Sequence, residues 1–475
     1  MMNLKKNIAL LSAIALAGTM LAGCNKDKPA ETTAATEATT AKAEGGDATE
    51  AAPEATTVAG TEAASVANDG DKFTVMTWNT EFTGYVENYY LKDNPLPEGV
   101  TWNPISFGVG GGQASQYFDQ YIESGEDLDL FCLEADFASV YLDSASTTTL
   151  AAVGIDESEL AGQYAYTKDI GKDSAGALKA TTFQACPGGF AYRSDLAAKF
   201  LDAKTPEEMQ AKVKDWDTFL ASAKTVKEAS NGATKMTASL GGIWQVFASS
   251  RNEPWVVDNK LVITKEVEDF LALAKTVVDE GYVDPAIAQW TNNWLPLGQT
   301  DATMGYFVST WGINETIIGT AAGGEGGATW GKWALCEGPQ AFYWGGTWVT
   351  PSATGDNADL TADLIRYFCI NEDSMKSFAL GSDSFVNNKN VMQSIVDEGT
   401  YSNANLGGQD QNQIWIKNVE GIDLSFMSGY DAQIKNSLST AYNSYVNGNT
   451  DYEATIELFK DDVAANLTTL DWDEE

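Results

Sequence analysis

The sequence predicts an α/β fold of two domains, and three observations carry the prediction. Beyond about position 70, short β-rich apolar runs alternate with runs whose apolar residues recur at helical spacing. Residues 71–475 are more than one hydrophobic core ordinarily organises. Several of the helical runs carry their own start and stop residues.

The first strand is "KFTVMTWN", ending at Trp78-Asn79. A second extended run, "VTWNPISFG", leads into Gly108 and Gly110 to Gly112, after which Tyr117, Phe118, Tyr121 and Ile122 share one helical face as far as Gly125. "DLDLFCLEAD" is then a short apolar strand that runs into acidic residues. This β-α-β succession belongs to a wound sheet, whose ligands gather beyond the carboxyl ends of strands. The glycine run "GVGGGQ" lacks the third glycine of GxGxxG and the Lys-Ser/Thr of a P-loop, which makes it a turn into the helix rather than a phosphate cradle.

Further along, "TKEVEDFLALAKTVVDEG" has Val267, Phe270, Leu271, Ala274, Val277 and Val278 on one face, with Thr264 placed to cap it and Gly281 to end it. The runs "ADLTADLIRYF", "YDAQIKNSLSTAYNSYV" and "DYEATIELFKDDVAANL" are helices by the same argument. Asn447, Asn449 and Asp451 imitate a calcium loop but lack its sixth-position glycine and twelfth-position glutamate. Thr450 with Glu453 is the better pattern there, a capping box.

The beginning of the chain is of another kind. Lys5 and Lys6, the uncharged run from Ile8 to Leu21, and Leu21-Ala22-Gly23-Cys24 have the layout of a secretory leader over residues 1–24. Residues 25–70 are Ala, Thr, Glu and Pro with almost no apolar bulk, too little to offset chain entropy, and are expected to be a disordered tether.

Composition excludes whole classes of function. Lys and Arg total 29 against 67 Asp and Glu, a formal charge of −38, and such a surface repels nucleic acid and anionic lipid headgroups. Histidine is absent, which removes serine-hydrolase triads and zinc-protease motifs. Cys132, Cys186, Cys336 and Cys369 lie far apart with no CxxC pair and are expected to be small buried hydrophobes. No motif calls for a cofactor or a metal.

The aromatics carry the positive signal. Trp290, Trp294, Trp311, Trp330, Trp333, Trp344 and Trp348, half of the chain's 14 tryptophans, fall between positions 290 and 348 among Gly, Asn and Thr. Tryptophan in such surroundings suits a ligand with an apolar face and a polar rim. A pyranose has that shape, its C–H face against an indole and its hydroxyls bonded to carboxylates and amides.

In order, the LAGC ending, the tether, "DLDLFCLEADFASVY", "PGGFAYRSDLAAKF", "WDTFLASAKTV", "TMGYFVSTWGINETI" and "GPQAFYWGGTWV" resemble the family 1 extracellular solute-binding proteins, the carbohydrate-binding lipoproteins of ABC importers. The resemblance covers residues 73 to 470. It implies a two-lobe periplasmic-binding-protein-like fold with a hinge and an interlobe cleft. Residues 71–185 plus 350–385 would form the N-terminal lobe, and 190–345 plus 390–475 the C-terminal lobe. The crossings would lie near Cys186 to Gly189, near Gly345-Gly346 and near 385 to 390. It further implies that Cys24 carries a lipid at the extracellular face of the bacterial cytoplasmic membrane, and that an oligosaccharide and ABC permease subunits are the partners.

Carried onto this chain, the resemblance offers Trp78, Asn79, Glu81, Glu134, Asp136 and Gln184 from the first lobe and its edge. Trp244, Trp311, Trp344 and Tyr430 come from the second. Each has a packing or capping alternative; Trp348, Trp102, Trp216, Trp255 and Trp415 are assigned to packing. The run "NANLGGQDQNQIWIKN", residues 403–418, is richer in Gln and Asn than the family leads one to expect. Two other functions fit the composition: the same receptor taking a peptide, polyamine or other cation, favoured by the negative charge, and a glycoside hydrolase working with two carboxylates.

Overall fold

The computed structural model describes residues 65–471 apart from Glu315. The predicted leader, Cys24 and nearly all of the predicted tether lie outside the described residues. The end of that tether is part of the fold: Val66 N–H bonds to Ala152 O at 3.1 Å, and Asp69 and Gly70 N–H bond to Asp356 O. Backbone hydrogen bonds, which composition does not reveal, hold these residues.

Among the described residues ten strands build two sheets and a hairpin. The first sheet contains β1 (Lys72–Thr77), β2 (Thr101–Ser106), β3 (Leu130–Glu134), β4 (Thr181–Thr182) and β10 (Thr347–Pro351), in the order β2-β1-β3-β10-β4. β1 runs parallel to β2 and β3, while β10 is antiparallel to β3 and β4. The second sheet contains β5 (Gly188–Arg193), β8 (Gly305–Ser309) and β9 (Trp333–Cys336), all antiparallel, with β5 in the middle. β6 (Val256–Val257) and β7 (Lys260–Leu261) make the hairpin.

The sequence accounts for these places. β1 and β3 are buried on both faces over most of their length, as strands inside a covered sheet are, Thr74 and Thr77 being buried in β1 beside its apolar residues. β2 carries Pro104, which cannot donate to a ladder and is accommodated because β2 is an edge strand. In the second sheet the period of two divides the side chains between two cores. Tyr306, Val308 and Leu335 join the core beneath the first sheet, while Phe190, Tyr192 and Phe307 join the core of the second.

The predicted helices form at Ala114–Ser124, Lys265–Asp279, Ala358–Cys369, Asp431–Val446 and Tyr452–Asn466. Gly125 ends the first in the left-handed region, at φ 70°. Two caps differ from expectation. Thr264 occupies its cap position, but its hydroxyl makes no cap bond and is buried without a partner. At the last helix the cap is Asp451, whose carboxylate accepts from Ala454 N–H at 2.9 Å, while Thr450 bonds Thr455 instead. A carboxylate one residue on displaces the predicted threonine.

The four cysteines are buried and unpaired, as their spacing predicts. No described helix is long and apolar enough to cross a membrane.

Candidate functional site

The chain passes from the first sheet to the second between β4 and β5, and returns between β9 and β10. The two passages touch. Trp344 N–H bonds Cys186 O at 3.1 Å and Gly188 N–H bonds Phe342 O at 2.7 Å. The carboxyl ends of β1 and β3 point at this junction, and the candidate site is built there.

From β1, Trp78 is buried and its carbonyl accepts from Val109 N–H at 2.9 Å, which fixes the glycine loop beside it. Asn79 Oδ1 accepts from Glu81 N–H at 3.0 Å, and Glu81 Oε1 accepts from the Tyr85 hydroxyl at 3.2 Å. Burial raises the Glu81 pKa, and the Tyr85 bond opposes that rise.

From β3, Glu134 Oε2 accepts from Asp136 N–H at 2.8 Å. Burial, with the Asp136 carboxylate beside it, pushes the Glu134 pKa up to about 8 against the opposing pull of Lys435. Gly111 packs directly on Glu134: a Cβ there would stand 2.6 Å from Glu134 Cγ. The glycine run is therefore more than a turn, since one member must be glycine to leave room for this carboxyl.

Gly345 has φ 68° and Gly346 φ 122°. A Cβ on Gly345 would lie 3.4 Å from Trp311 Nε1 and 3.5 Å from Glu134 Oε1, ordinary contacts that place this turn beside both the indole and the carboxyl, and its left-handed backbone is what favours glycine. Trp311 and Trp344 meet edge to face, with centroids 5.1 Å apart. Trp290 completes the group, nearly parallel to Trp311 at 6.2 Å and 19°, and steeply inclined to Trp344 at 5.9 Å and 63°. All three rings remain partly exposed.

Asp136 faces the second half of the molecule. Its carboxylate pairs with Lys435 Nζ at 2.8 Å and accepts from the Tyr343 hydroxyl at 3.3 Å. Behind this pair lies a small cavity of about 10 Å³, lined by Arg251, Tyr343, Met427, Asp431 and Lys435 among others. Arg251 pairs with the buried Asp431 and lies 4.1 Å over the Trp255 ring.

The other three predicted residues stand apart. Trp244 is only 4 % exposed, packed in the second core against Phe270 at 4.7 Å and Trp255 at 6.0 Å. Gln184 is buried at the passage, its amide donating to Thr347 Oγ1 at 3.3 Å. Tyr430 is half-buried against the second core. Trp348 is wholly buried, as assigned, and donates to Thr167 O at 2.9 Å.

A family model described as a bacterial extracellular solute-binding protein matches residues 98–403. The chain belongs to that family. Solved structures share its fold at low identity. A crystal structure described as an extracellular solute-binding protein of family 1 superposes with TM-score 0.71 at 16% identity, covering 83% of this chain and 99% of that one. The ABC transporter associated binding protein from B. animalis subsp. lactis, solved with beta-1,6-galactobiose, gives 0.62 at 16% identity over 84% and 96%. The galacto-N-biose-/lacto-N-biose I-binding protein from Bifidobacterium longum, solved with lacto-N-biose, gives 0.63 at 14% identity over 85% and 98%. No curated relative matches the chain.

The solute-binding protein thus has the two-lobe α/β architecture of this class, and its family and fold are those of binding proteins. One acidic cluster, Asp127, Asp129 and Asp356, has carboxylate oxygens within 4.8 Å of one another. It sits at the opposite ends of β1 and β3 from the site. Asp129 there accepts from the backbone N–H groups of Thr74, Asp356 and Asn357, which gives its lone pairs a structural use. Sequence reasoning missed Trp290 and Gly111 as site residues. Both lay in runs it had singled out; Trp290 is distinguished by its backbone conformation and Gly111 by the close approach of Glu134.

Proposed function

We propose that this solute-binding protein captures an oligosaccharide between its lobes outside the cell and delivers it to the permease of an ABC importer. The observation that carries the reading is the convergence of Trp311, Trp344 and the Glu134 carboxyl on one passage between the sheets. Indole faces match the C–H faces of a pyranose, and carboxyls and amides match its hydroxyls. In this reading Trp78, Asn79, Glu81 and Asp136 complete the first-lobe wall, and Trp244, Gln184 and Tyr430 support the site from behind. The lobes have the boundaries given above, and Cys24 carries the lipid that keeps the receptor at the membrane.

Ligand preference for the closed arrangement would shift the open-closed equilibrium, which the permease senses. Calorimetry with neutral oligosaccharides, paired with small-angle scattering, tests this: binding with compaction is expected. Released monosaccharide, or no binding to any neutral oligosaccharide, overturns it.

A second reading, a cationic solute, is favoured by the chain's formal charge of −38. Binding of a polyamine that weakens steeply with salt would decide for it.

A further inference from the structure

Trp290 is the most exposed large apolar side chain of the described residues, at 56%. Its backbone is left-handed, at φ 63°. The other five described non-glycine residues with positive φ are Asp or Asn, which tolerate that region, whereas a bulky residue there is an outlier. Strain and exposure both oppose the fold, and such outliers persist where a site uses them. What they achieve here is the orientation of one ring nearly parallel to Trp311, with Trp344 steeply inclined to both. Next to it in the chain, Gln289 Nε2 is buried and makes no hydrogen bond, its side chain lying against Gly241.

We propose that Trp290 and Trp311 sandwich one pyranose unit, and that the sandwich selects units whose ring hydroxyls are all equatorial, the gluco and xylo configurations, over galacto and manno units. This inference rests on the oligosaccharide reading above. An all-equatorial pyranose shows axial C–H bonds on both faces, so both can lie on an indole. One axial hydroxyl places a polar group against a ring that cannot bond it. Equatorial hydroxyls point outward from the slot, where the Glu134 carboxyl beside Trp311 can bond them. Carbon contacts of about 3.5–4.0 Å on each face need about 7–8 Å between the rings. The pair therefore opens from its present centroid spacing of 6.2 Å as the sugar enters.

The test is calorimetry on the full chain with β-1,4-linked cellobiose, xylobiose, galactobiose and mannobiose. The wild type should bind the first two at least about tenfold more tightly. Trp290→Gly should bring all four within about twofold while leaving the melting temperature equal or higher, because glycine relaxes the backbone. Trp290→Asn, which also accepts the left-handed region, should reproduce the loss of discrimination. Equal affinities in the wild type, or unchanged discrimination in both variants, overturn the inference and leave the oligosaccharide reading standing. Failure of all four sugars, and of longer neutral oligosaccharides, sinks both.

Discussion

Trp311 donates its indole N–H to the carbonyl oxygen of Trp344 at 2.8 Å. A residue just past β8 and a residue between β9 and β10 are thereby fixed to each other at the point where the chain returns to the first sheet. The rings proposed to meet the solute are held by the same bond that secures the passage.

Removing that donor separates the two roles. Trp311→Phe keeps a ring and should cost about 0.5–1.5 kcal/mol in urea unfolding, the usual net value of one hydrogen bond. Trp311→Ala should in addition weaken oligosaccharide binding at least about tenfold, the stacking loss of about 0.5–1.5 kcal/mol adding to that of buried area. Undiminished affinity in the alanine variant would exclude the ring from the site.

Glycine substitutions should behave oppositely at two positions. Gly111→Ala forces a Cβ to 2.6 Å from Glu134 Cγ and should destabilise by about 1–3 kcal/mol, displacing the carboxyl and weakening binding. Gly84→Ala meets no atom within 4 Å and lies in the helix Glu81–Tyr85. It should stabilise by about 0.5–1 kcal/mol with affinity unchanged.

The Glu134 pKa predicts a pH signature. The folded protein keeps this proton up to about 8, whereas an ordinary glutamate releases it near 4.5. The folded value is raised, so its contribution to stability is full below about 4.5 and is lost as pH rises through about 8. Melting temperatures of Glu134→Gln and wild type should therefore draw apart in the variant's favour across that window. A gap that does not change with pH would contradict the assignment.

Asp136 and Lys435 join the two halves across 2.8 Å while partly screened from water. A double-mutant cycle with Asp136→Asn and Lys435→Met should give a coupling of about 1 kcal/mol, between the values for exposed and buried pairs. Coupling near zero would mean that the pair does not hold the halves.

Much of this was legible in the chain. β3 announced itself as a short apolar run because a strand covered on both faces has no polar side to alternate with, and β1 as a β-rich one. Glu134 and Asp136 were legible as carboxylates at a strand's carboxyl end. Trp244 was harder, although a signal existed: nearly every residue of Leu240–Ala248 is apolar, and a helix apolar all round is buried. Trp290 had no such signal, because a left-handed tryptophan violates the local preferences that sequence reasoning uses. The cap at Asp451 was missed by one residue, two competent side chains standing side by side.

Four thiols, at 132, 186, 336 and 369, lie sealed in the interior without disulfides. Burial pushes the Cys186 thiol up to about 12, so alkylating reagents find no thiolate in the folded molecule. Labelling rates then become a clock for internal opening. Cys186 lies where the chain changes sheets, whereas Cys369 ends the helix Ala358–Cys369, and comparing the two rates distinguishes bending at the junction from melting of the first half.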